Sequence, residues 1–222
     1  MDIAHQRILE GKVFEAVRSR SPLAGKQIIN VGSVSVLFEG ETSASVYRLS
    51  SDNATHNFAA KAKKLGILGV VQLLADYGAV ALYKKDVYYP DYLWLAHLEH
   101  LNSLDTYPDQ QAAVARLLLH LTDSDDGDLL ATPEDKHALL ARLDDAPIES
   151  CTRQAVEAMQ RLLPEYILET DVDVDLGATN FMVRATTGDV VLSDPASGLS
   201  NISEERRKRL LVDEIVVEVC NE

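Results

Sequence analysis

The run Asp175 to Pro195, DLGATNFMVRATTGDVVLSDP, constrains this chain more tightly than any other stretch. Phe181 to Arg184 is short, apolar and β-prone, and Val190-Val191-Leu192 follows within the return run Asp189 to Ser193. Ala185-Thr186-Thr187-Gly188 lies between them as a turn, its glycine able to adopt φ > 0. If the two runs pair antiparallel, their outer ends meet, and Asn180 lies beside Asp194. Asp175, five residues before Asn180, can fold back over the same spot. Two carboxylates and an amide oxygen then converge at one end of a hairpin, a hard-oxygen set suited to Mg²⁺ rather than to a soft metal.

The remaining bounds come from length and charge. The chain has 222 residues, enough for one large domain or two lobes, and a formal net charge of −14. That charge argues against nucleic acid as a direct partner. It suits a basic substrate, or solubility alone, the plainer reading. Cys151 and Cys220 are too few and too far apart for a disulfide framework or a zinc site, so a reducing cytoplasm is expected. No apolar run reaches transmembrane length and the N-terminus has no signal-peptide core, so no membrane association is expected.

D-x-x-x-x-N, a hairpin and then D-P-A-S resembles the catalytic and metal-binding loops of the protein-kinase-like fold, in particular the small kinases of lytic bacteriophages and the minimal effector kinases of bacterial pathogens. The resemblance implies an α+β, two-lobed architecture. Residues 1–88 would form a small β-rich lobe and residues 89–222 a reduced helical lobe. It implies ATP and Mg²⁺ as cofactors, with Asp175 as catalytic base, Asn180 as a metal ligand and Asp194 as the principal one. The expected activity is Ser/Thr protein phosphorylation of a host protein substrate, in the cytoplasm of an infected bacterium or of a host cell. An activating partner stays open. Asp173-Val174 stands where the family carries His-Arg, which implies a kinase independent of activation-loop phosphorylation, and Gly177 replaces a lysine that would contact the γ-phosphate. A catalytically inactive kinase-fold binding protein or acidic decoy is the alternative, with a small-molecule phosphotransferase behind it.

The N-terminal half supplies the rest of the expected site. Met1 to Arg20 reads as a helix stopped by Ser21-Pro22, and Gln27 to Leu49 as β-rich, with Val34, Val36 and Phe38 alternating, then Ser45, Tyr47 and Leu49. FEGETSASVYRL between them resembles a degenerate phosphate-covering loop, with Gly40 at the turn and Ser43, Ala44 and Ser45 as small residues over the phosphates. Asn57 to Ala62 reads as the next strand and puts Lys61 at the position of the kinase lysine that neutralises phosphates. No acidic residue is well placed to hold it. A second register would use Lys84, with Glu99 on a helix over Tyr92 to Leu104. Ile67 to Leu74 and Ala79 to Tyr83 read as two further strands, and Lys85 to Pro90 as a hinge.

Beyond Pro90 the pattern turns helical. Trp94, Leu98 and Leu101 predict a helix over Asp91 to Leu104, and Val114, Leu117, Leu118 and Leu121 another over Gln110 to Leu121. The acidic run TDSDDGD, Thr122 to Asp128, departs from a calcium-loop pattern and reads as a solvated loop. Thr132 caps a third helix with Pro133 at its first position, and Ser150 to Leu163 forms a fourth that Pro164 closes or kinks. A final helix begins at Ser203-Glu204-Glu205 and continues through the basic run 206–209.

Overall fold

A computed structural model describes Leu9 and residues 11–84, 91–167 and 172–198. The final helix, the hinge at Lys85 to Pro90 and the lobe boundary at 88/89 lie outside these residues. The described chain is an α+β fold with three separate antiparallel sheets. Contacts divide it into two units. Among the described residues, one holds those up to Asn53 together with Leu73–Lys84 and Asp91–Glu99; the other holds Ala54–Gln72 and those from His100 to Gly198.

The first unit begins with α1 (Lys12–Arg18) and contains β1 (Ile28–Val31), β2 (Ser35–Glu39), β3 (Ser45–Ser50), β4 (Leu73–Lys84) and β5 (Asp91–Glu99). The strands form one sheet in the order β1-β2-β3-β5-β4. The expected alternation holds in part: Val36, Phe38, Tyr47 and Leu49 enter one buried cluster with Leu93 and Leu95, joined by Phe14 and Val17 of α1, whereas Val34 lies exposed before β2 and β3 is buried at every position. Burying each large side chain of this kind contributes roughly 1.5–3 kcal/mol. Gly40 closes the β2–β3 hairpin, where a Cβ would lie 2.2 Å from the Ser45 carbonyl oxygen, so no larger residue fits without moving the strand.

Two expectations fail here. Residues 91–99 form a strand, not a helix. Its Leu93 and Leu95 point to one face and Trp94, Ala96 and Leu98 to the other, and all five are buried. A strand covered on both faces loses its period-two signature and reads like a helix stripe. Glu99 therefore sits on β5, which removes the helix on which the Lys84–Glu99 register depended. Likewise the strand expected over Ile67 to Leu74 does not form as such: residues 67–72 carry only an isolated bridge at Val70, and Leu73 begins one bulged strand, β4, that runs on through the strand expected over Ala79 to Tyr83, with Gly78 (φ +69°) at a register shift.

The second unit contains α2 (Ala54–Leu65), β6 (Asn102–Ser103), the 3₁₀ turn Leu104–Thr106, α3 (Pro108–Thr122), β7 (Leu129–Leu130), α4 (Pro133–Leu143) and α5 (Arg153–Ile167). It continues with β8 (Val172–Asp175), the 3₁₀ turn Ala178–Asn180, β9 (Phe181–Val183), β10 (Val190–Leu192) and β11 (Ala196–Gly198). The helix expected over Gln110 to Leu121 is present as α3. So is the Thr132 cap, whose hydroxyl accepts from the Asp135 N–H at 3.1 Å. Pro164 does not close α5, which runs on for three residues with Tyr166 and Ile167 buried. Packing outweighs the backbone hydrogen bond that proline removes. Two small sheets, β10-β9-β6 and β11-β8-β7, carry the Asp175 to Pro195 stretch.

Candidate functional site

The expected hairpin forms in register, with Phe181 opposite Leu192, Met182 opposite Val191 and Val183 opposite Val190. Gly188 (φ +74°) closes the turn. The strands are short, but Val183 and Val190 to Leu192 are fully buried. Arg184 ties the hairpin to the segment after α2 by donating to the carbonyls of Leu68 and Val70 at 3.1 and 3.3 Å.

At the far end the three polar residues converge through main-chain bonds. The Asn180 carbonyl accepts from the Ser193 N–H at 2.8 Å and from its hydroxyl at 3.1 Å. The chain then turns at Asp194-Pro195 and runs back antiparallel along β8 as β11, with Ala196 opposite Val174. Asp175, the last residue of β8, donates its N–H to the Pro195 carbonyl at 3.0 Å. The Asn180 amide nitrogen donates to the Asp175 carbonyl at 3.3 Å. One Asp175 carboxylate oxygen accepts from the Gly177 N–H at 3.0 Å, leaving the other for a ligand.

Thr55, on α2 and 2% exposed, holds Asp194. Its hydroxyl donates to Asp194 Oδ1 and lies 2.6 Å from the Ala196 carbonyl oxygen. A carboxylate and an amide oxygen are hard ligands of the kind Mg²⁺ takes. Among the described residues no group of three or more His, Cys, Asp or Glu side chains is arranged to hold a metal.

The acidic run 122–128 does more than meet solvent. The carbonyls of Asp126 and Asp128 accept from the N–H groups of Ala178 and Leu176 at 2.8 and 3.0 Å. Between them Gly127 (φ +78°) comes so close that a Cβ would lie 1.9 Å from the Leu176 oxygen. The turn therefore splints the loop between Asp175 and Asn180. From the other side Lys136 of α4, 3% exposed, donates to the Val172 carbonyl and lies 3.8 Å from Asp173. Neither Thr55 nor Lys136 was legible beforehand, because each acts across a long sequence separation and has an unremarkable local context.

Lys61 is placed differently from expectation. It lies on α2, not on a strand, and pairs with Glu165 of α5. Buried Ala54, Phe58, Ala59 and Ala62 follow a helical period, and alanine and lysine favour helix. The strand that follows the Gly40 turn is β3, and its cation is Arg48, 7% exposed. Gly40 and Ser43 belong to the first unit, whereas Lys61, Asp175, Asn180 and Asp194 belong to the second. No family model matches the chain, and no curated protein does.

Proposed function

We propose that this chain is a minimal ATP-dependent kinase that moves the γ-phosphate of Mg-ATP to a serine or threonine hydroxyl of a protein. The observation that carries the reading is the convergence of Asp175, Asn180 and Asp194, fixed by backbone bonds at one end of the β9–β10 hairpin. Phosphoryl transfer asks mainly for positioning and charge neutralisation. In this reading Asp175 orients the attacking hydroxyl with the carboxylate oxygen that Gly177 does not hold. Asp194, steadied by Thr55, and the Asn180 oxygen hold Mg²⁺, which when bound neutralises phosphate charge. A five-stranded sheet and a set of helices leading into the Asp175 loop suit the layout of that fold, a support by analogy only.

A second reading is a non-catalytic binding protein on a kinase-like scaffold. The placement of Lys61 on helix α2 rather than on a strand favours it. Labelled Mg-ATP decides between the two, with wild type and Asp194→Ala each offered casein, a lysate and the protein itself. Transfer by wild type and none by the variant is the expected result. No transfer, together with no thermal stabilisation by Mg-ATP, leaves the binding protein.

A further inference from the structure

A cavity of about 540 Å³ opens in the second unit beside the Asp175 loop. Ala178 and Thr179, three and four residues after Asp175, form part of its wall, and Met182 of β9 lies next to them. Asp105, from the 3₁₀ turn before α3, and Asp125 and Asp126, from the turn after α3, also line it. All three aspartates are exposed, and among the described residues none has an ion-pair partner. Leu104, Pro108 and Ala115 add apolar surface between them.

We infer that this cavity receives an arginine or lysine side chain of the protein substrate, so that the enzyme selects serines and threonines in basic sequences. The inference rests on the kinase reading for its link to catalysis, but the binding it asserts stands alone. Three uncompensated carboxylates repel a phosphate or an acidic peptide and attract a cation. Apolar surface beside them suits the methylene stem of arginine or lysine, whose charged head can then reach the carboxylates. The volume is that of a small-ligand pocket, ample for one such side chain. The position also fits a substrate contact, because the wall of the cavity belongs to the same loop that carries Asp175 and Asn180. A net charge of −14 would draw a basic partner toward the protein before docking.

Fluorescence anisotropy tests this with three labelled peptides, each carrying alanine in place of the target serine so that no transfer is needed. One has flanking arginines, one glutamines and one glutamates. Wild type should bind the arginine peptide at least about tenfold more tightly than the glutamine peptide, and should not bind the glutamate peptide. The double variant Asp125→Asn/Asp126→Asn should lose roughly three- to tenfold in affinity, and Asp105→Asn somewhat less, as expected for exposed ion pairs. Added salt should weaken binding. The double charge reversal Asp125→Lys/Asp126→Lys should turn the preference toward glutamate. Circular dichroism confirms that these surface variants fold. Equal binding of all three peptides, no binding of any, an unchanged affinity in the variants, or binding of spermine but not of the arginine peptide would each overturn the inference. Serine versions of the peptides separate it from the kinase reading. Arginine-selective binding without phosphate transfer sinks only the kinase reading; transfer without preference sinks only this one.

Discussion

Lys61 stands on helix α2 rather than on a strand and pairs with Glu165, and both side chains keep contact with water, 23% and 51% exposed. An exposed pair of this kind contributes roughly 0.2–1 kcal/mol. Lys61→Met is therefore expected to change phosphate transfer less than about threefold and stability by less than about 1 kcal/mol. The comparison is a thermal shift with and without nucleotide; loss of stabilisation by Mg-ATP in Lys61→Met would return the phosphate role to that lysine. The aspartate and asparagine positions were legible in the sequence because they flank a hairpin whose two strands are neighbours in the chain. The placement of Lys61 was not, since it requires knowing which of two adjacent segments is the strand. Alanine-rich residues 54–65 carry a helical stripe, but the spacing from the Gly40 turn pointed elsewhere.

Among the elements, the turn after α3 has the largest leverage on the site. Gly127 is needed twice there, for its positive φ and for the approach of Leu176. Gly127→Ala should cost about 2 kcal/mol or more, measured by urea denaturation. It should also lower phosphate transfer at least tenfold by releasing the Asp175 loop, while Gly188→Ala at the opposite end of the hairpin costs stability and spares most of the rate. A Gly127→Ala enzyme of wild-type rate would remove the splint from the account. This contact shows the limit of reading locally. An acidic, glycine-containing run looks like solvated loop from its composition, and its side chains are indeed exposed. Its backbone partners lie some fifty residues later in the chain. Strand β5 fails for a different reason, since burial on both faces erases the alternation that would have announced it.

For the molecule as a whole, ionisable groups in the first unit set a pH range. His97 stacks on Tyr47 with ring centroids 4.4 Å apart, and its Nε2 has no hydrogen-bond partner. Burial favours the neutral ring and lowers its pKa from 6.5. The unfolded chain then binds the extra proton first, so the stability linked to His97 is full above about pH 6.5 and is lost as pH falls below it. Tyr47 is shifted the other way: burial, then its hydrogen bond to Glu41 at 2.7 Å, raise its pKa well above 10. Its share is full below about pH 10 and is lost as pH rises further. Glu41, held ionised by Tyr47 and then by Lys26, adds a smaller acid limb that is lost as pH falls through its lowered pKa. Melting temperature should therefore form a plateau from about pH 6.5 to 10. His97→Gln should flatten the acid edge near pH 6, and Tyr47→Phe should move the alkaline edge upward. A wild-type profile that is level from pH 5 to 7 would contradict the His97 assignment.

The contact between residues 126–128 and residues 176–178 has a meaning for how such a protein can change. Asp126 lines the cavity and its carbonyl accepts from Ala178 in the loop after Asp175, so on the proposed reading one residue serves both recognition and geometry. Lengthening or reshaping that turn to suit a new target would disturb the Asp175 loop in the same stroke. Asp105 carries no such second duty, because its backbone N–H is satisfied locally by Ser103. Drift in target preference that leaves turnover intact should therefore pass through Asp105 first, and the turn after α3 should change only together with the loop it holds.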